Sequence, residues 1–325
     1  QGTLAPASVE RIKKVAVELG YRPDPILASL ASKRFRSGRG SEGLPLALLE
    51  FPAYAGNDQP ARHYREDLVR EAESLGYAPT VYDKDEIARY QDIRRLLFHR
   101  GTRGVIITGQ PSPGFFDDPE KWAPFAIVQC GRYQASLPIT TIRPNIFQSV
   151  QLAFNKVVER GYQRIGFALC SHPQLIEDDL ARQGAAFSLL KNYVQPKNQI
   201  EPYCGRFDDG ETFIKWVREV EPDAVIGFGF YLYYVLRDAG FQIPEEIAYV
   251  ALHGNPPGSE DVDLAYLDQD RNEIACRAML QINQMIRVNE NGLQENAQQI
   301  LISSKWVEGP SLAPRVAPGV VLAAK

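Results

Sequence analysis

A repeated spacing of buried-strand runs constrains this chain more than any other feature. Leu46-Ala-Leu-Leu49 and Gly104-Val-Ile-Ile-Thr-Gly109 start 58 residues apart, and Ile165-Gly-Phe-Ala-Leu169 and Ala224-Val-Ile-Gly-Phe-Gly229 start 59 apart. The second pair is offset from the first by 119 and 120 residues. Each copy has an amphipathic helical pattern after its first strand and another before its last. In the first copy Tyr64, Leu68, Ala72 and Leu75 share one helical face over 61–75, and Gly76 closes it. A strand at Thr80–Tyr82 and a helix over Ile87–His99 follow. Strands and helices in alternation predict parallel strands joined by crossover helices. The length of 325 residues is too long for one small domain and suits two such units. The expected fold class is α/β with two Rossmann-like lobes. Their ligand site is expected in the cleft between them, lined by the carboxyl ends of the strands.

Ahead of the first strand the pattern differs. Ser8 precedes Ile12, Val15, Ala16 and Leu19, and Gly20 follows, which reads as an N-cap, one apolar face and a stop. Asp24-Pro25 starts a second, short helix running to about Lys33, of a length that is marginal in water without a partner. Arg34–Gly43, rich in Arg, Ser and Gly, reads as a linker. Residues 1–40 hold eight Lys/Arg against three acids, a net of +5 in a chain whose total is −4, which leaves −9 on the remaining 285 residues. A basic arm on an acidic body suits a polyanionic partner for the arm alone. On charge alone, a solvated basic tail is the preferred reading. The chain opens on Gln1, so a further N-terminal piece is expected upstream.

Several classes are set aside. No run approaches the roughly 20 apolar residues a membrane helix needs and no basic-then-apolar leader opens the chain, so a cytoplasmic protein with no membrane partner is expected. Cys130, Cys170, Cys204 and Cys276 are scattered without a CxxC pair, which argues against a disulfide framework or a zinc site. Gly227-Phe-Gly229 begins like a dinucleotide fingerprint, but the third glycine is Leu232. No phosphate-binding GxxxxGK[ST] loop and no GxSxG elbow occur, and His63, His99, His172 and His253 sit in no recognisable nucleophile motif. The reading is a binding protein, not an enzyme, with no cofactor and no metal. Asp208-Asp-Gly-Glu211 reads as the acidic first turn of a helix. Of the aromatics in Phe228–Tyr234, clustered at one strand end, Phe230 is chosen to face the cleft.

Several segments together resemble the LacI/GalR family of transcriptional regulators. Val9–Pro23 resembles the segment joining that family's DNA-binding headpiece to its core, and Ala28-Ser29-Leu30 resembles its hinge helix. Further matches are Gly104-Val-Ile-Ile, Glu159–Gly166, Pro222–Ile226, Ala239–Ile247 and Trp306–Ser311, in the family's order. The resemblance implies a type I periplasmic-binding-protein-like core, preceded by a helical remnant of the headpiece and hinge, with the helix-turn-helix upstream of Gln1. It implies a homodimer on a palindromic operator, with paired hinge helices in the minor groove and Leu30 as the wedge that opens a base step. Ala28 and Ser29 would lie beside that wedge, and Arg22 would join them in binding DNA. The implied units are 1–43 as headpiece remnant, hinge and linker, 44–145 with 268–301 as one lobe, and 146–267 with 302–325 as the other.

The resemblance also implies a small-molecule effector in the cleft, held by Arg182, Phe207, Phe230, His253, Tyr54 and Asn145. Arg182 falls where the family places an arginine that clasps ligand hydroxyls, and Phe207 where an aromatic stacks on the ligand ring. Gly131 stands where an Asp commonly follows a strand, Gly229-Phe230 replaces Asn-Asp, His253-Gly254 replaces Asp-Asp, and Pro144-Asn145 keeps only the Asn. Fewer carboxylates to accept hydroxyl hydrogen bonds weaken the case for a plain sugar, so a less polar or smaller pocket for an aromatic, heterocyclic or modified-sugar ligand is expected. The alternatives are a solute-binding receptor for transport, and less so an enzyme on a doubly wound fold.

Overall fold

The structure is a computed structural model, and it describes residues 43–52, 64–131, 138–169, 171–172, 176–206, 209–253 and 264–315, together with Arg11 and Val15. Arg11 and Val15 are helical. The hinge expectation (Arg22, Ala28, Ser29, Leu30) and the cleft candidates Tyr54 and Phe207 lie outside the described residues.

Strands β1 (Leu44–Glu50), β2 (Tyr77–Tyr82), β3 (Gly104–Thr108), β4 (Ala126–Cys130) and β5 (Thr140–Pro144) form one sheet with β10 (Gln299–Ile302), in the order β10-β5-β4-β3-β1-β2. All its pairings are parallel. Its central strands β1, β3 and β4 read as mostly apolar runs because both faces are covered. Leu46, Leu48, Ile106 and Val128 point to one side, under α1 (Arg65–Ser74) and α8 (Arg271–Val288). Ala47, Leu49, Val105, Ile107 and Ile127 point to the other, against Trp122, Phe125 and Leu97.

The second sheet holds β6 (Ile165–Ala168), β7 (Ala224–Gly227), β8 (Ala248–Ala251) and β9 (Ala265–Asp268) in parallel, with β11 (Lys305–Val307) antiparallel at the edge beside β9. Helices α4 (Ile146–Glu159) and α5 (Glu177–Tyr193) cover one face through Val150, Phe154, Ala186 and Leu189. Helices α6 (Gly210–Val220) and α7 (Phe230–Asp238) cover the other through Phe213, Val217, Leu232 and Leu236. The two expected copies are thus present, with β1 beside β3 and β6 beside β7. The counterpart of β2 has shrunk to one bridge, Ala168 with Tyr203.

The chain passes between the sheets three times, after β5, β9 and β10. At these crossings the Asn145 N–H donates to the Ile302 carbonyl at 2.8 Å, and the Ser149 and Ser304 hydroxyls lie 2.8 Å apart. Asp270 caps α8 and pairs with Lys305 Nζ at 2.5 Å. Three strands bound by these short links form the joint between lobes.

The structure differs locally from the sequence expectations. The helix expected over 87–99 is two, α2 (Lys84–Arg89) and α3 (Ile93–His99). Asp83 starts the first with a capping box, and the Asp92 carboxylate accepts the Arg94 N–H at 3.1 Å to start the second. β2 begins at Tyr77, earlier than the strand expected at Thr80. Leu75 is the C-cap of α1 and exposed, while Gly76 closes the helix at φ 84° as expected. The helix expected at the acidic run begins at Gly210, with the N-cap Asp209 carboxylate accepting the Thr212 N–H at 3.0 Å, while Asp208 lies outside the described residues. Among the described residues no helix is long and apolar enough to cross a membrane.

Candidate functional site

Parallel strands deliver their carboxyl ends to one edge of each sheet, and the two lobes touch there. Arg143 on β5 of the first lobe reaches Asp178 in the first turn of α5 in the second, Nη1 to Oδ1 at 2.8 Å. The residues around this contact are the walls of the candidate cleft.

The second wall is organised by Asp179. The first turn of α5 carries Glu177, Asp178 and Asp179, where carboxylates favour the unpaired amide end of a helix. Asp179 is 1% exposed. It accepts the backbone N–H groups of His172 (3.2 Å) and Ile176 (3.3 Å), faces His172 Nδ1 at 3.0 Å and receives Arg182 Nη2 at 2.5 Å. Burial alone pushes its pKa up, but the His172 hydrogen bonds and the Arg182 charge outweigh that and hold it at about 2. Arg182 lies one helical turn on from Asp179 and is 3% exposed. Its guanidinium carbon sits 4.6 Å from the ring centre of Phe228. Among the described residues its Nε has no hydrogen-bond partner. Phe228 in turn packs 4.6 Å from His253, whose Nδ1 lies 3.0 Å from Gln269 Nε2. The result is a rigid guanidinium fork on an aromatic face, suited to grip an acceptor atom in the plane of a ring.

The first wall is less open than the resemblance implied. Glu50, buried at the end of β1, takes both Nε (2.8 Å) and Nη2 of Arg65 and so has its charge matched. Gly131 has φ 87°, and a Cβ added there would stand 2.1 Å from Cε2 of Tyr64. The aromatic ring therefore occupies the space that an aspartate at 131 would need. Thr108 Oγ1 and Gln129 Oε1, on β3 and β4, are buried without hydrogen-bond partners among the described residues.

Of the expected site residues, Arg182 and His253 come together around Phe228. Phe230 goes elsewhere: it is the first residue of α7, 7% exposed, packed in the core with its ring 6.0 Å from Tyr266. β7 stops at Gly227, and Phe228 is left to face Arg182. Asn145 caps α4, accepting the Gln148 N–H at 3.1 Å, and so belongs to the joint. Tyr231 faces away, into an open groove between α6 and α7 with Ile214 and Val235. Sequence reasoning did not single out Phe228, Asp179, Asp178 or Arg143. The i, i+3 spacing of Asp179 and Arg182 was the available signal for one of them. Among the described residues no group of His, Cys, Asp or Glu is placed to hold a metal ion.

No protein-family model matches this chain, and no curated protein sequence matches it. Solved structures do match. A LacI family transcriptional regulator from Enterococcus faecium with bound ribose shares 18% identity, with a TM-score of 0.62 over 83% of this chain and 99% of that one. The LacI family transcriptional regulator CCPA from Weissella paramesenteroides with bound sucrose shares 17%, with a TM-score of 0.61 over 84% and 100%. The transcriptional regulator CelR in complex with cellobiose shares 16%, with a TM-score of 0.57 over 96% and 92%. At these identities the likeness shows the two-lobed periplasmic-binding-protein-like fold.

Proposed function

We propose that this chain is a ligand-responsive transcriptional regulator of the LacI/GalR type, in which a small molecule bound between the lobes alters the grip of an N-terminal arm on DNA. The observation that carries the reading is the Arg182 fork. A buried guanidinium, locked by Asp179, stacked on Phe228 and with its Nε–H unpaired among the described residues, is a costly arrangement unless a guest completes it. The order of family-like segments from Val9 to Ser311 and the regulators of the same fold support the DNA-binding half. Pairing of two identical hinge segments makes the acting unit a homodimer on a two-fold operator. Effector affinity and operator affinity are then coupled through the hinged lobes.

The neighbours hold sugars, but this cleft offers a ring-lined wall at Phe228 and His253, and Tyr64 where a carboxylate would stand. The effector is therefore a flat heterocycle or a modified sugar with an acceptor on its edge. A thermal-shift screen of hexoses, pentoses, sugar derivatives, purines and pyrimidines tests this. The expected outcome is a raised Tm with a ring-bearing ligand, abolished in Arg182→Ala. Tight binding of an unmodified hexose through Arg182 refutes the effector class, and an Arg182→Ala protein that still responds refutes the site.

For the arm, Leu30→Ala in the full-length protein is expected to weaken operator binding by on the order of tenfold to a hundredfold, while binding to random duplex changes little. The substitution removes a wedge and leaves the phosphate contacts and their salt dependence. Fluorescence anisotropy on both duplexes across a salt series makes the comparison. Equal losses on the two would place Leu30 outside the groove.

A further inference from the structure

Asp178 and Asp179 are consecutive residues in the first turn of α5, yet they hold arginines from different lobes. Asp179 grips Arg182 of its own helix, and Asp178 grips Arg143, which projects from β5 across the cleft. Both members of the crossing pair are largely out of water, at 10% and 15% side-chain exposure. Arg143 also stands two residues before Asn145, where the chain leaves the first sheet for the second. One helical turn is thus tied both to the fork of the cleft and to the strand that enters the joint.

We propose that the Arg143–Asp178 pair is a latch that holds the lobes closed in the absence of effector, and that its place beside Asp179 lets a guest on Arg182 adjust it. The inference deepens the proposed function and rests on the cleft being the effector site. The physical ground is the asymmetry of desolvated charge. With both partners present the closed form satisfies them. With Arg143 removed, the Asp178 carboxylate loses the cation that matches it in a dry place, and opening rehydrates it. A guest shifts such an equilibrium by as much as its affinities for the two forms differ. The joint itself, held by Asn145–Ile302, Ser149–Ser304 and Asp270–Lys305, stays made while the lobes swing.

Small-angle X-ray scattering on the ligand-free chain, with no DNA, tests this apart from any effector. Arg143→Gln is expected to expand the scattering profile, as the closed-to-open ratio falls by roughly tenfold. The charge-swapped double variant Arg143→Asp/Asp178→Arg is expected to restore the compact profile. Asp118→Asn, which breaks the exposed pair with Lys121, is the control and leaves the profile unchanged. Circular dichroism on each variant separates opening from unfolding. An Arg143→Gln profile that matches the parent overturns the latch, and so does an expansion that the swap leaves in place. Neither result touches the effector screen, so failure here and failure of the functional reading are distinguishable.

Discussion

Asp179→Ala is expected to lower the unfolding free energy by about 3–5 kcal/mol, the range for removing one partner of a buried ion pair. In a protein of this size that is a fall in Tm on the order of 10 °C. The loss arises from what remains behind. The Arg182 guanidinium, 3% exposed, keeps its charge without the carboxylate that matched it, and the His172 and Ile176 N–H groups lose their acceptor. The double variant Asp179→Leu/Arg182→Met is expected to be far milder, because it removes both charges together. Urea unfolding of the parent, the single and the double makes the comparison, and a single variant within about 1 kcal/mol of the parent contradicts the account. The effect also has a pH signature. The folded pKa of Asp179, about 2, lies below the ordinary unfolded value near 3.9. Its contribution is therefore fully present above about pH 5 and is lost as pH falls through about 4 towards 2. The gap between parent and Asp179→Ala should narrow over that window.

The second large effect is expected at Gly131. Gly131→Ala places a Cβ 2.1 Å from Cε2 and 2.7 Å from Cζ of Tyr64, on a backbone at φ 87° that disfavours any side chain. The backbone conformation costs about 1–2 kcal/mol and displacement of the packed ring about 1–3 kcal/mol, so a loss of roughly 2–5 kcal/mol is expected. Tyr64→Ala is destabilising by itself, since the ring packs with Leu68 and Val128. The double variant should nevertheless lose less than the two singles together, because the clash disappears while the backbone cost remains. Strict additivity in chemical denaturation would mean that the ring moves aside freely. Gly131→Asp should likewise fail to create a sugar-binding carboxylate in the parent background, since the ring holds that space.

How far the cleft could be read beforehand depended on distance along the chain. Arg182 is singled out by resemblance, and Asp179 lies within one turn of it, so a local rule reaches both. The choice of Phe230 over Phe228 turned on where β7 ends, and two residues of strand or loop exchange core for cleft. Tyr249 helps set that end, because its hydroxyl lies where a side chain at Gly227 would project and donates to the Gly229 carbonyl. The Arg143–Asp178 contact spans 35 residues and two lobes, beyond any periodicity. The split of the expected helix at Tyr90–Asp92 is encoded in the capping residues Asp83 and Asp92, local signals that a continuous apolar pattern masks.

The sequence by itself determined the alternation of strands and helices, the doubling of the unit and the parallel sheets. Those follow from local patterns of apolar side chains that must be buried on two faces, whatever the neighbouring lobe does. Only the tertiary structure decided which charge meets which, that Tyr64 fills the space beside Gly131, and that two adjacent aspartates serve two lobes. Such pairings depend on where the ends of separate strands converge, and burial makes their energies large only once water has been excluded from that place.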